Sequence, residues 1–294
     1  MTLQLLNIDE IIENYELFIF DLWGVIHNGQ EPFVNTLKCL ARLKQANKLS
    51  FLLSNSPRLV QPTIKRLAAM GIAEDLYQGA YTSGLDCHLS LKNRKAPFYK
   101  SLGEKIFHIG PDTYLPTFDT LNYTAVPDID QADFILISGI VDWTEPLEEY
   151  DFILEKALNR NLPLVCANAD KQVIKGQKRV LCAGMLAEQY LQKGGTVSLH
   201  GKPNPLMYQK VHQLAEEFSN HSIDKKNILM IGDSLATDIK GANNYGIDSL
   251  MVLTGVHGED LLPLWSDREK FEKKLFELEE TYKSHPTYII SHLE

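Results

Sequence analysis

Short aliphatic and β-branched runs alternate along the chain with segments whose apolar residues recur every three or four positions. That alternation predicts a parallel β-sheet with helices packed on it. Runs 17–20 and 49–53 read as the first two strands. Between them Val34, Leu37, Leu40 and Ala41 are spaced to give a crossover helix one buried face, and Val60, Ile64, Leu67 and Ala68 repeat the device. Runs 197–199, 228–231 and 250–253 read as further strands, with helices over 205–218 and 238–245. Phe271, Leu275, Leu278 and Tyr282 make the charged stretch 267–284 an amphipathic helix, and 288–290 adds a last strand. The middle, 86–190, has its own alternation: strands at 106–109, 134–137 and 164–166, and helical period over 146–158. It is long enough to be a separate α/β domain inserted into the first.

Composition removes several classes. With 44% hydrophobic and 23% charged residues in 294, the chain reads as a folded globular protein rather than a disordered or membrane one. Its net charge of −9, without a basic patch, disfavours nucleic acid as a partner. Cys39, Cys87, Cys166 and Cys182 form no C-x-x-C pair, so reduced, buried thiols are expected rather than a zinc site or disulfides. No Lys or Arg precedes Lys38, and the apolar run 134–141 is far short of the ~20 residues that span a bilayer, so the expectation is a cytoplasmic protein without a membrane partner. A homo-oligomer is compatible with the sequence, and nothing in it argues for one.

In open α/β sheets ligands bind beyond the carboxyl ends of the strands, so the residues that follow each strand carry the functional information. Asp21 follows the first strand, in Phe20-Asp21-Leu22-Trp23-Gly24-Val25, and Ser54-Asn55-Ser56 follows the second. Gly201-Lys202-Pro203-Asn204-Pro205 comes after 197–199, and Gly232-Asp233-Ser234-Leu235-Ala236-Thr237-Asp238 after 228–231. Singly, each has a bland reading as a helix cap, a turn or a residue favoured by a helix dipole. Together they supply a carboxylate nucleophile, a hydroxyl donor, an ammonium and a second acidic cluster. That set suits a phosphoryl group with a hard divalent cation, and Mg²⁺ prefers one or two carboxylates plus phosphate. Lys202 and the metal would offset charge on the phosphoryl oxygens while Asp21 attacks phosphorus to give an aspartyl phosphate.

In this order the motifs resemble the haloacid dehalogenase (HAD) superfamily of phosphatases. The resemblance is to the type IIA subclass, with a large α/β cap between the second and third motifs, which includes p-nitrophenyl phosphatase-, sugar phosphatase- and pyridoxal phosphatase-like enzymes. It extends through Tyr81-Thr82-Ser83-Gly84, Cys182-Ala183-Gly184 and Leu253-Thr254-Gly255-Val256. The resemblance implies an α/β fold: a Rossmann-like, doubly wound parallel-sheet core made of 1–85 and 191–294, and an inserted α/β cap of 86–190. It further implies Asp21 as nucleophile and metal ligand, with the Trp23 backbone carbonyl and Asp233 completing the protein's share of the Mg²⁺ shell. Ser54 and Asn55 would hold the phosphoryl oxygens, Lys202 would bridge Asp21 and phosphate, and Asp238 would orient the metal shell or Lys202. Asn168-Ala169-Asp170 resembles a cap loop that faces the core and contacts substrate.

One position departs from the family pattern. Two residues after the nucleophile the family usually carries a second Asp, which protonates the leaving oxygen and then activates water; here Trp23 stands there. Indole donates a hydrogen bond but does not exchange a proton near neutrality, so general acid–base help of typically ~10²–10⁴-fold is missing from its usual place. Either only good leaving groups are hydrolysed, or another residue substitutes, His27 being the nearest titratable one, or a phosphorylated ligand is bound without efficient turnover. The expected function is a Mg²⁺-dependent phosphatase acting on a small phosphorylated metabolite and limited to good leaving groups. The alternative is a weak or inactive relative that binds such a ligand in a regulatory role. A dinucleotide-binding oxidoreductase would need a G-x-G-x-x-G turn after a strand, and the sequence has none.

Overall fold

A computed structural model describes residues 2–142, 146–176 and 178–293. Its larger sheet has seven parallel strands. In spatial order they are Leu3–Gln4, Tyr288–Ile290, Asp248–Val252, Ile228–Gly232, Leu17–Phe20, Leu49–Ser54 and Gly79–Thr82. Leu17–Phe20 is buried at every position because helices cover both faces of the sheet. Phe18, Phe20, Leu52 and Ile231 pack with Leu40, Leu43 and Leu67 of helices Val34–Gln45 and Val60–Ala69. Leu17, Ile19, Phe51 and Met230 point the other way, onto Met207, Tyr208 and Val211 of helix Pro205–Ser219. The two-residue strand period thus divides one aliphatic run between two cores.

A second parallel sheet has the order Val197–Leu199, Leu164–Cys166, Phe134–Ile137, Lys105–Ile109, Thr124–Ala125. An antiparallel hairpin, Gln172–Lys175 with Lys178–Leu181, projects from it. The molecule is therefore an α/β protein with a doubly wound parallel-sheet core and an inserted α/β cap.

Several details differ from the sequence reading. Strand Val197–Leu199 pairs with Leu164–Cys166 in the cap sheet instead of joining the core sheet, although it lies in the segment 191–294 assigned to the core. It is a short edge strand, and its mixed polarity carries no sign of which sheet will take it. Val34 is 64% exposed, and the inner face of its helix is Thr36, Cys39, Leu40 and Leu43. The segment 238–245 divides into a π-helical turn, Leu235–Ile239, and a short helix, Lys240–Tyr245. Strand Gly79–Thr82, helices Ser83–Asn93 and Ala183–Gln192, and the hairpin were not anticipated. All four cysteines are free and buried, as expected. Among the described residues no helix is long and apolar enough to cross a membrane.

The two chain crossings between sheets are braced against each other. His200 Nδ1 lies 2.5 Å from Asp86 Oδ2, and Tyr99 hydrogen-bonds the other ring nitrogen. Ser83 donates to the carbonyls of Ser56 and Ala167, at 3.0 and 2.7 Å, joining the end of a core strand to the end of a cap strand.

Leu40 is fully buried beneath the first crossover helix, and its aliphatic neighbours cannot collapse fully into the space it fills. Leu40→Ala is expected to cost about 2–5 kcal/mol. In urea unfolding followed by circular dichroism, this should appear as a lower midpoint with an unchanged m-value.

Candidate active site

Strands Leu17–Phe20 and Ile228–Gly232 are neighbours with Phe20 opposite Ile231, so Asp21 and Asp233 emerge side by side at their carboxyl ends. The Asp21 N–H still donates to the Ile231 carbonyl at 2.9 Å, which fixes where the first carboxylate departs from the sheet. The chain leaves toward Leu49–Ser54 on one side of Leu17–Phe20, while Ile228–Gly232 lies on the other. This change of direction is where open α/β sheets form their binding crevice.

Lys202 reaches into this crevice from the returning chain and is only 1% exposed. Its ammonium donates to Asp21 Oδ1 at 2.5 Å, Asp238 Oδ1 at 2.6 Å and the Leu53 carbonyl at 3.2 Å. The π-helical turn delivers Asp238, whose second oxygen accepts the Ser234 N–H at 3.1 Å. Asp233 Oδ2 accepts the Val256 N–H at 2.7 Å. Backbone presses on the same carboxylate from two sides. A Cβ on Gly24, at φ +90°, would lie 2.4 Å from Asp233 Oδ2, and one on Gly255 would lie 1.8 Å away. Only glycine permits that approach.

Carboxylate oxygens of Asp21, Asp233 and Asp238 lie within 4.8 Å of one another, and all three residues are buried. Burial lifts the Asp21 carboxyl to about 8, with Lys202 opposing and Asp238 reinforcing the shift. Burial, then Asp238 and Asp21, push Asp233 well above the carboxylate range. Burial works against the Lys202 charge, but Asp21, Asp238 and Asp170 outweigh it and hold the ammonium firmly protonated. Ionised together, the three carboxylates and the one ammonium would carry two negative charges in excess, a state that burial disfavours while no cation is bound. A divalent cation cancels that excess, and the donors on offer are the hard oxygens such a cation takes. The residues present fit the group.

The second strand ends in Ser54 and Asn55. Ser54 Oγ accepts the Ser56 N–H at 3.1 Å and borders the crevice. The Asn55 amide is committed elsewhere than to a ligand: Oδ1 accepts the Lys202 N–H at 2.7 Å, and Nδ2 donates to Asp170 Oδ1 at 2.8 Å and the Lys202 carbonyl at 3.2 Å. Its side chain clamps the lysine loop and meets the cap loop, whose Asn168 Oδ1 accepts the Asp170 N–H at 2.9 Å. Burial raises Asp170 to about 6, against the pull of Lys202 and Asn55.

The Trp23 indole N–H donates to the Ile174 carbonyl of the cap hairpin at 2.6 Å. Its ring packs edge-on against His27, with centroids 5.5 Å apart. His27, the candidate substitute acid, is buried beside this ring. Its Nδ1 accepts the Gly29 N–H at 3.0 Å, and burial, then Arg66, lower its pKa to about 4, so near neutrality it is uncharged. Arg58, Arg66 and Tyr114 also line the cleft and escaped the sequence reading, because arginines before and within a helix look like any solvated face. Thr254, which donates to the Gly24 carbonyl at 2.5 Å, was noticed only through the resemblance.

Fold and site together define a haloacid dehalogenase-like hydrolase, and the chain belongs to that family. The model described as haloacid dehalogenase-like hydrolase matches residues 18–124, and a second, HAD-hydrolase-like model matches 199–294. A haloacid dehalogenase-like hydrolase structure from Brucella suis superposes with a TM-score of 0.84 at 29% identity, covering 99% of this chain and all of that one. Schizosaccharomyces pombe 4-nitrophenylphosphatase is 24% identical over 85% of this chain and 88% of its own length. Rattus norvegicus chronophin is 25% identical over 81% and 76%, respectively.

The charge excess sets a pH dependence. Unfolded, Asp21 releases its proton near 3.8; folded without a cation it keeps it to about 8. Between those values the folded state holds more protons, so rising pH withdraws stability, by at most about 1.4 kcal/mol per unit for one group. Calorimetry in EDTA should give a lower Tm at pH 8 than at pH 5, and saturating Mg²⁺ should raise Tm more at pH 8. An equal Mg²⁺ increment at both values would contradict the charge assignment.

Proposed function

We propose that this protein is a Mg²⁺-dependent phosphatase of the cytoplasm, hydrolysing a small phosphorylated metabolite through an aspartyl phosphate on Asp21. The observation that carries the reading is the buried ammonium of Lys202 shared between Asp21 and Asp238, beside Asp233; ionised together, the three carboxylates would leave two negative charges for a divalent cation to balance. Bound Mg²⁺ would be held by Asp21, Asp233 and the Trp23 carbonyl and would neutralise charge on the phosphoryl oxygens. We assign the chemistry to the core, 1–85 and 191–294, and substrate cover to the cap, 86–190, with Val197–Leu199 as a cap strand carried by the core segment.

In this reading Asp21 uses one carboxylate oxygen to attack phosphorus while the ester P–O bond breaks, and the leaving oxygen departs with the bonding pair. Lys202 holds Asp21 in place and shields it from the phosphoryl charge, and Asp238 keeps Lys202 oriented. Ser54 faces the phosphoryl oxygens, and Asn55 shapes the lysine loop. Water then attacks phosphorus, releasing phosphate and restoring Asp21. Asn168 and Asp170 bring the cap loop to the leaving-group side.

Protonation of the leaving oxygen is the weak step. Trp23 has no acidic proton, and its N–H is engaged by Ile174. An aryl oxide leaves unprotonated, whereas an alkoxide needs an acid, so the substrate range narrows to good leaving groups.

With Mg²⁺, p-nitrophenyl phosphate should be cleaved with a kcat/KM at least about 100-fold above that for glycerol phosphate. Asp21→Asn should lower p-nitrophenyl phosphate turnover by about 10³-fold or more. Trp23→Asp should narrow the aryl-to-alkyl ratio. Equal rates on the two esters would remove the leaving-group restriction, and an Asp21→Asn variant with wild-type turnover would remove the nucleophile.

A further inference from the structure

The cleft that contains Asp21 and Ser54 is also lined by Arg58 and Arg66, both half-buried and close enough for the Arg58 charge to act on Arg66. Arg58 follows the Ser54-Asn55-Ser56 turn, and its guanidinium lies 4.5 Å from the Tyr114 ring centroid, with Nη1 donating to the Tyr114 hydroxyl at 3.4 Å. Arg66 comes from helix Val60–Ala69, and its Nη2 donates to the Gly29 carbonyl at 3.2 Å. Among the described residues neither guanidinium has a carboxylate within the 4.0 Å of an ion pair; Arg42, Arg179 and Arg268 do, while Arg94 and Arg160 donate to backbone carbonyls instead. Burial, then the neighbouring Arg58 charge, lower the Arg66 pKa.

Two adjacent like charges, partly withdrawn from water and facing a cleft, are unfavourable unless an anion meets them. In a chain of net charge −9, carboxylate partners are plentiful, yet none is used here. In the proposed site Lys202 and the divalent cation would meet the phosphoryl oxygens, which leaves these two guanidiniums for another part of the substrate. A guanidinium presents a planar fork of donors that matches carboxylate and phosphate oxygens, and each of these two spends donors on a neutral acceptor that fixes its position.

We propose that Arg58 and Arg66 form a subsite for a second oxyanion, a carboxylate or a second phosphate, carried by the leaving-group part of the substrate. The inference rests on the phosphatase reading and deepens it: the substrate class becomes phosphate monoesters with an anionic leaving group. Tyr114, which comes from the cap, completes the wall by stacking on Arg58.

The test compares aryl esters, so that the leaving oxygen needs no acid: 3-carboxyphenyl phosphate, its neutral 3-carbamoyl analogue and benzene-1,3-diyl bisphosphate. Wild-type protein with Mg²⁺ should favour an anionic ester over the carbamoyl one by roughly tenfold or more in kcat/KM, mainly through KM. Which anionic ester gains more identifies the oxyanion. In the Arg58→Gln/Arg66→Gln double variant the ratio should collapse toward one, and Arg58→Lys with Arg66→Lys should keep part of it. A wild-type ratio near one overturns the subsite, as does a double variant that slows all esters equally, which would put the arginines on the phosphoryl group instead. If no ester is turned over, the phosphatase reading fails, and calorimetry still decides the subsite. 3-Phosphonopropionate should then bind wild type about tenfold more tightly than propylphosphonate, a difference the double variant loses; equal affinities overturn it.

Discussion

The buried ammonium of Lys202 is the interaction on which the site's geometry depends. It collects the end of the first core strand through Asp21, the end of the second through the Leu53 carbonyl and the π-helical turn through Asp238. Removing one partner of a buried ion pair typically costs about 3–5 kcal/mol, because the charge left behind has neither water nor a counter-ion. Here ionisation of all three carboxylates would leave an imbalance even with every partner present, since Asp233 adds a carboxylate that Lys202 does not touch. Without a cation the polypeptide avoids that imbalance by retaining protons on Asp21 and Asp233. The carboxylate that Lys202 leaves unmatched is Asp233, and there Gly24 and Gly255 press backbone against it instead of placing a side chain.

Catalytic geometry and cap position are consequently not independent. Asn55 spends its amide on both sides of the divide, accepting from the Lys202 N–H and donating to Asp170 of the cap. The Asp86–His200 pair braces the two crossings, and Ser83 ties a core strand end to a cap strand end. Arg179 of the hairpin reaches the Val256 carbonyl at 3.3 Å, next to the N–H that Asp233 uses. Moving the cap would disturb hydrogen bonds one residue removed from the carboxylates, and moving the carboxylates would disturb the cap.

Much of the core was legible because burial on both faces forces nearly continuous apolar strands, as in Leu17–Phe20 and Ile228–Gly232. A polar residue after such a strand stands out, so Asp21, Ser54 and Asp233 were visible before any geometry. Lys202 was visible by its motif but not by its route, since it follows an edge strand of the cap sheet and reaches the core only by tertiary contact. Edge strands and hairpins leave weak traces: Val197–Leu199 and Gln172–Lys175 are short and partly polar, and their pairing is decided by neighbours far along the chain. Arg58 and Arg66 left none, because an unpaired guanidinium is distinguished from a solvated one only by what surrounds it.

Trp23 shows how one substitution changes two properties together. An aspartate there has a proton to lend but only acceptor oxygens when ionised, so it has nothing to offer the Ile174 carbonyl. The indole reverses both terms: it gives up the exchangeable proton and gains an N–H that satisfies that carbonyl at 2.6 Å, while its ring covers His27. The hairpin is held a second time by the Gly176 N–H, which donates to the Asn28 carbonyl at 3.1 Å, so the loop after the first strand and the tip of the hairpin close on each other. Where such a closure excludes water, every charge interaction inside it is strengthened. On the proposed function, the residue that stands where an acid is expected would thereby also strengthen the hold of Lys202 and the arginine pair on an anion.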